Sequence, residues 1–332
     1  MSSQPPVEPP AVHGFVTPAA RPNPGPAQAW LPRPYSQLLR GPTLRWWRPL
    51  VSLLVVGGWF VALIVLAGVS LGVYWAVTGA PSSTQSMDTA TINAWTITPA
   101  GLAWTNLILA ALIIGAQLAV WGGFGWRPRW VASVTGGVRW SWLLRCYLVA
   151  AVVVVPVTAG LEALAGGFDY HPAKNAWVVV LVVLATTPLQ AAGEEYLFRG
   201  WLTQAVGSVI PRAAAGAVVA ALVSSTVFAL AHGQQDPWLF ADRFGFGLVA
   251  SWLVWRTGGL EASIAVHTVL NLVAFALAVA SDQLGDMLQV STGTPAAALS
   301  DLALMACTAG LIDWVARRSS VVRLFRPPVR AW

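Results

Sequence analysis

Apolar residues fill most of the chain in blocks of about 20, the length a helix needs to cross a bilayer core. The pattern predicts spans near 50–77, 100–122, 143–164, 175–193, 212–232, 240–256, 260–281 and 297–316, the sixth being the shortest. The fold class expected is all-α, a polytopic transmembrane helix bundle of about eight spans. Arg45 and Arg48 precede the first span, and Arg127, Arg129 and Arg139 follow the second. Arg212 precedes the fifth, Arg256 closes the sixth, and Arg317, Arg318, Arg323, Arg326 and Arg330 follow the eighth. The alternate loops carry Asp88, then Glu162, Asp169 and Lys174, then Asp236, Asp242 and Arg243, then Asp282 and Asp286. Basic side chains therefore gather on one side, which places both termini in the cytoplasm by the positive-inside rule. Trp46, Trp47, Trp95, Trp121, Trp126, Trp130, Trp140 and Trp142 lie near span ends, where indole rings anchor at the interface.

Composition agrees with this reading. Of 332 residues, 56% are hydrophobic and 10% charged, against about 25% charged in soluble domains. The formal charge of +6 is dispersed among span ends rather than gathered in a patch, so nucleic acid is not an expected partner. Cys146 and Cys307 sit in apolar surroundings without metal-ligand spacing. No cleavable signal peptide is expected, because no basic stretch leads into an apolar core at the start. Residues 1–45 are rich in proline and poor in large apolar residues, and read as a disordered cytoplasmic tail. Residues 46–140 read as accessory helices, and 317–332 as a basic cytoplasmic tail. The Arg-rich, Lys-poor, Ala/Val-rich composition points to a high-GC genome, and the location expected is a bacterial plasma membrane.

Three polar motifs interrupt the apolar helices: Glu194-Glu195-x-x-x-Arg199, Phe228-x-x-x-His232 and His267-x-x-x-Asn271. An ionisable side chain at bilayer depth costs about 2.5–3.5 kcal/mol on insertion scales. Residues at i and i+4 share a helix face, while neighbours point about 100° apart. Glu195 and Arg199 are thus placed to pair, and Glu194 is expected to face elsewhere, unpaired within its helix. Phe228 falls one turn before His232 and is expected beneath its imidazole. His267 and Asn271 are placed to converge on one ligand. At about 1.5 Å per residue, Glu194 lies about 20 Å, His232 about 30 Å and His267 about 14 Å above the cytoplasmic turns near Gly207, Pro211 and Gly258, so the three meet only roughly in mid-bilayer.

This set suits peptide-bond hydrolysis. Glu194 can act as general base on water, His232 can position that water, and His267 and Asn271 can donate to the oxyanion. Glu194, His232 and His267 also have the chemistry of a zinc site with water in the fourth position. Structural alternatives are an ion-paired knot at Glu194, Glu195 and Arg199, a carbonyl-bonded His232, and helix-joining hydrogen bonds from His267 and Asn271. Glu261, at a helix start, is expected to serve the helix dipole.

In order, spacing and apolar setting, Glu194-Glu195-Tyr196-Leu197-Phe198-Arg199-Gly200, Phe228-Ala229-Leu230-Ala231-His232 and His267-x-x-x-Asn271 resemble the CAAX protease and bacteriocin-processing (CPBP, Abi-like) family of intramembrane proteases. The resemblance covers roughly 140–280 and marks 141–316 as the protease core. It implies that Glu194 and His232 activate the catalytic water. His267 and Asn271 stabilise the oxyanion, and Glu195 and Arg199 support the site. The family carries a metalloprotease label, with zinc the metal implied and its requirement open. The substrate implied is a peptide or membrane-associated protein, with prenylated tails one option. His-Glu-x-x-His, Gly-x-Gly-Asp and Gly-x-Ser-Gly, the marks of other intramembrane proteases, do not occur. A non-proteolytic scaffold or immunity factor that keeps the fold is the competing function. Oligomeric state is not legible.

Overall fold

The computed structural model describes residues 32–41, 43–79, 89–167 and 169–326. Almost all of the regular structure is helical: α1 (Arg48–Thr78), α2 (Thr89–Thr96), α3 (Pro99–Ala110), α4 (Leu112–Ala119), α5 (Trp140–Leu164) and α6 (Ala176–Glu195). They are followed by α7 (Thr203–Val209), α8 (Ala213–Leu230), α9 (Pro237–Thr257), α10 (Glu261–Ala280), α11 (Leu284–Leu288) and α12 (Pro295–Arg318). Proline in the first turn starts α3, α9 and α12, where its missing N–H costs nothing. The Thr98, Asp236 and Thr294 side chains cap those helices by accepting backbone N–H bonds. A π-helical stretch, Tyr196–Leu202, joins α6 to α7, so the motif helix runs unbroken from Ala176 to Val209. Its 34 residues reach about 50 Å, more than a hydrocarbon core of about 30 Å needs.

Among the described residues, seven helical segments are long and apolar enough to cross a membrane, and the protein is an integral membrane protein. The expected sixth span is the exception. It forms helix α9, but Asp242, Arg243 and Arg256 leave it outside the apolar set. It still packs inside the bundle, along α8 on one side and α12 on the other. Two short strands, β1 (Arg33–Pro34) and β2 (Leu324–Phe325), pair antiparallel and hold the segments flanking α1 and α12 at one end of the molecule. Counted with α9, the described residues form eight long helical passes, an even number that suits ends which meet.

That clasp also changes the N-terminal boundary. Residues 1–31 lie outside the described residues, but 32–41, expected in the disordered tail, are packed onto the bundle. Tyr35, Leu38 and Leu39 are fully buried. The Tyr35 hydroxyl donates to the Val131 carbonyl, Gln37 Nε2 to Ile210 O at 2.7 Å and Arg40 Nη1 to Ser208 O at 2.9 Å. Proline content hid a short apolar cluster whose partners are far along the chain. Tyr35 lies outside the spans, and its burial pushes the phenol well above its ordinary value.

Trp46, Trp121 and Trp140 are exposed, as interfacial anchors require, with Trp47 partly so. Trp95 and Trp142 are instead buried. Trp126 and Trp130 stack edge-on with Phe325 beside the clasp. Glu261 does more than meet a helix dipole. It is 1% exposed and accepts the Arg139 backbone N–H, Nε and Nη2, while Arg139 Nη1 reaches the Thr257 and Val322 carbonyls. This pair ties the start of α5 to α10 and the C-terminal segment.

The site is positioned by close packing of α3 on α6 and of α10 on α6. At Gly193 a Cβ would stand 2.1 Å from the Leu109 carbonyl oxygen, backbone against backbone. Gly193→Ala should therefore push α3 away from α6, costing about 1–3 kcal/mol by overpacking. A lowered midpoint of thermal unfolding in detergent is the measurement that checks it.

Candidate active site

The three motifs come together. Glu194 and Glu195 end α6, Arg199 follows in the π-helical stretch, Phe228 is on α8 with His232 just past its end, and His267 and Asn271 are on α10. They meet around a cavity of about 560 Å³ lined by Glu194, Phe228, His232, His267 and Asn271. The remaining wall is largely apolar, with Leu102, Leu270, Phe275 and Met305 among its residues. Thr96, Met287 and Val290 also line it, from elements at the end of the bundle opposite the strand clasp.

At the base, Glu195 and Arg199 are both fully buried and pair through Nη1–Oε1 at 2.8 Å, as their spacing predicts. The Arg199 guanidinium lies 4.1 Å from the centre of the Phe228 ring and 5.0 Å from that of Phe246. Two aromatic faces thus offset part of the burial cost of the cation. Its Nε and Nη2 have no hydrogen-bond partner among the described residues.

His267 joins the two glutamates. Its Nδ1 is 3.0 Å from Glu195 Oε1 and its Nε2 is 3.6 Å from Glu194 Oε2. A carboxylate only accepts, so Nδ1 carries the proton shared with Glu195. The expectation that adjacent glutamates must serve different sites is therefore corrected. The two point about 100° apart, yet an imidazole has a nitrogen on each edge and touches both. Nor is Glu194 alone within its helix. Gln190 Nε2 donates to its Oε1 at 2.6 Å. Among the described residues Glu194 Oε2 has no hydrogen-bond partner, and His267 Nε2 stands beyond bonding reach of it.

Phe228 sits beneath His232 as expected, ring centres 4.6 Å apart and nearly edge-on. His232 Nδ1 is 2.8 Å from the Phe228 carbonyl, so it acts as donor and leaves Nε2 as the basic nitrogen. His232 is exposed, whereas Glu194 and His267 are buried. Asn271 Nδ2 donates to Gln190 Oε1 at 3.2 Å.

Two residues with a place in this site were missed. Gln190 is one turn before Glu194 on the same face, a signal visible in the spacing. Phe246, whose ring is 4.8 Å from that of His267, comes from α9, where no motif marks it. Among the described residues no three His, Cys, Asp or Glu side chains are grouped to hold a metal ion. Glu194, His232 and His267 are the residues that would hold a zinc ion, which would supply a bound water of lowered pKa; as placed, they are not gathered around one point.

Residues 175–273 match the family model for type II CAAX prenyl endopeptidase Rce1-like proteins. This segment is similar to the CAAX proteases. It spans under a third of the chain and contains Glu194, Glu195, Arg199, Phe228, His232, His267 and Asn271. The chain is thus an integral membrane protein that is similar, over this segment, to CAAX-type prenyl endopeptidases. No curated protein and no solved structure matches the chain.

Proposed function

We propose that the protein hydrolyses a peptide bond of a membrane-associated substrate with a water activated by Glu194. The observation that carries this reading is the placement of His267 against both glutamates on the wall of one largely apolar cavity. Glu194 Oε2, which lines the cavity side by side with His267 and has no hydrogen-bond partner among the described residues, takes a proton from water as that water attacks the scissile carbonyl carbon. His232 accepts a hydrogen bond from the water through Nε2. The tetrahedral oxyanion receives Asn271 Nδ2–H and His267 Nε2–H. Because Nδ1–H of His267 is committed to Glu195, donation from Nε2 requires the imidazolium. Glu194 then passes its proton to the departing amine as the carbon–nitrogen bond breaks. Glu195 and Arg199 hold His267 in place, and Phe228 and Phe246 exclude water from beneath it.

Asn271→Ala should lower kcat by about 10²–10³-fold, the range for loss of one oxyanion donor, with KM changed little. Steady-state cleavage of a quenched peptide checks it. The proposal itself is tested by mass spectrometry of an apolar, membrane-inserting peptide incubated with the purified protein in lipid vesicles. Two fragments whose masses sum to the peptide plus one water support it. An intact substrate beside folded protein, across a peptide library, supports the scaffold reading instead. A zinc-chelator arm of the same assay reads metal dependence directly.

A further inference from the structure

Gln190 is buried on the cavity wall between two groups assigned separate tasks. Its Nε2 donates to Glu194 Oε1 at 2.6 Å, and its Oε1 accepts from Asn271 Nδ2 at 3.2 Å. We propose that Gln190 is a positioning residue that ties the water-activating carboxylate to the oxyanion-binding amide, so that α6 and α10 present both in one fixed register. The inference rests on the endopeptidase reading above.

The direction of the chain of bonds follows from chemistry. A carboxylate only accepts, so the Gln190 nitrogen must face Glu194 and its oxygen must face α10. An oxygen there selects the nitrogen of Asn271. The Asn271 amide is thereby oriented with one Nδ2 hydrogen on Gln190 and the other left for the cavity. Turning the Gln190 amide over would set oxygen against carboxylate and nitrogen against nitrogen, losing both bonds. Each end therefore fixes the other. An untethered Asn271 would present oxygen or nitrogen to the oxyanion, and oxygen there repels it.

The bridge also has a geometric consequence. Glu194 is 8% and Gln190 7% exposed, and Asn271 is half-buried, so none is held by bulk water. Glu194 is bound through Oε1 alone, which keeps Oε2 towards His267. Without Gln190 the carboxylate can rotate, and reacting groups displaced by about 1 Å lose about 10²-fold in rate.

Steady-state cleavage of a quenched membrane peptide by wild type, Gln190→Leu, Asn271→Ala and their double variant tests the proposal, with unfolding midpoints measured alongside. The expected result is a kcat loss of about 10–100-fold for Gln190→Leu, with KM within about two-fold. The double variant should lose less than the product of the two singles, because the share of the Gln190 effect that acts through the Asn271 amide is already gone in Asn271→Ala. A purely structural Gln190 would lower the unfolding midpoint, leave kcat per folded molecule unchanged and combine multiplicatively with Asn271→Ala. Gln190→Met keeps the unbranched length, loses both bonds and serves where Gln190→Leu does not fold. Wild-type kcat in either folded variant, beside cleavage that needs Glu194, overturns the bridge alone. Glu194→Gln cleaving like wild type overturns the Glu194-activated water of the proposed function, and the bridge with it.

Discussion

Glu194→Gln should lower kcat for peptide cleavage by about 10²–10⁴-fold, the contribution of a positioned general base, with little change in KM. The substitution keeps the side-chain volume and an oxygen that can still accept from Gln190 Nε2, so the helix ends and the cavity should remain as they are. What it removes is the oxygen able to take a proton from water. A loss in kcat and kcat/KM together, with KM steady, is the signature of an interaction made only in the transition state. Equal unfolding midpoints for the two proteins would assign the loss to chemistry rather than folding.

Arg199→Ala should have the largest effect on stability, about 3–5 kcal/mol, because it leaves Glu195 as an uncompensated buried charge. Both partners are fully buried and joined at 2.8 Å. The substitution also takes the cation from between Phe228 and Phe246, and Glu195 is the group that holds His267 Nδ1. Activity should therefore fall with stability. Replacing both partners, Glu195→Gln with Arg199→Leu, should recover part of the unfolding midpoint, since no charge is then stranded. It should not recover activity, because the amide holds His267 more weakly. Thermal unfolding of the single and double variants in one detergent reads the first claim, and kcat reads the second.

The parts of the site legible in the sequence are those governed by helical spacing. Glu195 with Arg199, and Phe228 with His232, are four residues apart and meet as that spacing requires. His267 and Asn271 share a face and line one cavity. Contacts between distant segments were not legible in the same way. Glu261 and Arg139 are 122 positions apart, and a helix-start glutamate looks like a dipole partner until its arginine is seen. Tyr35, Leu38 and Leu39 were read with their prolines, although three buried side chains suffice to dock a segment. Helix α9 was read as a span from its apolar residues. Its charges exclude it from the apolar set, and packing between α8 and α12 keeps it in the bundle. The relation of the two glutamates to His267 depends on the two nitrogens of a ring on another helix, which spacing within α6 does not contain.

The central claim is that a Glu194-dependent hydrolysis occurs in the cavity. The most direct measurement is turnover of a quenched peptide library by wild type and Glu194→Gln, reconstituted side by side in the same lipid vesicles, with folding confirmed by matching unfolding midpoints. Cleavage by wild type and at least about a 10²-fold lower rate in the variant are expected. Cleavage at equal rates by both proteins would contradict it.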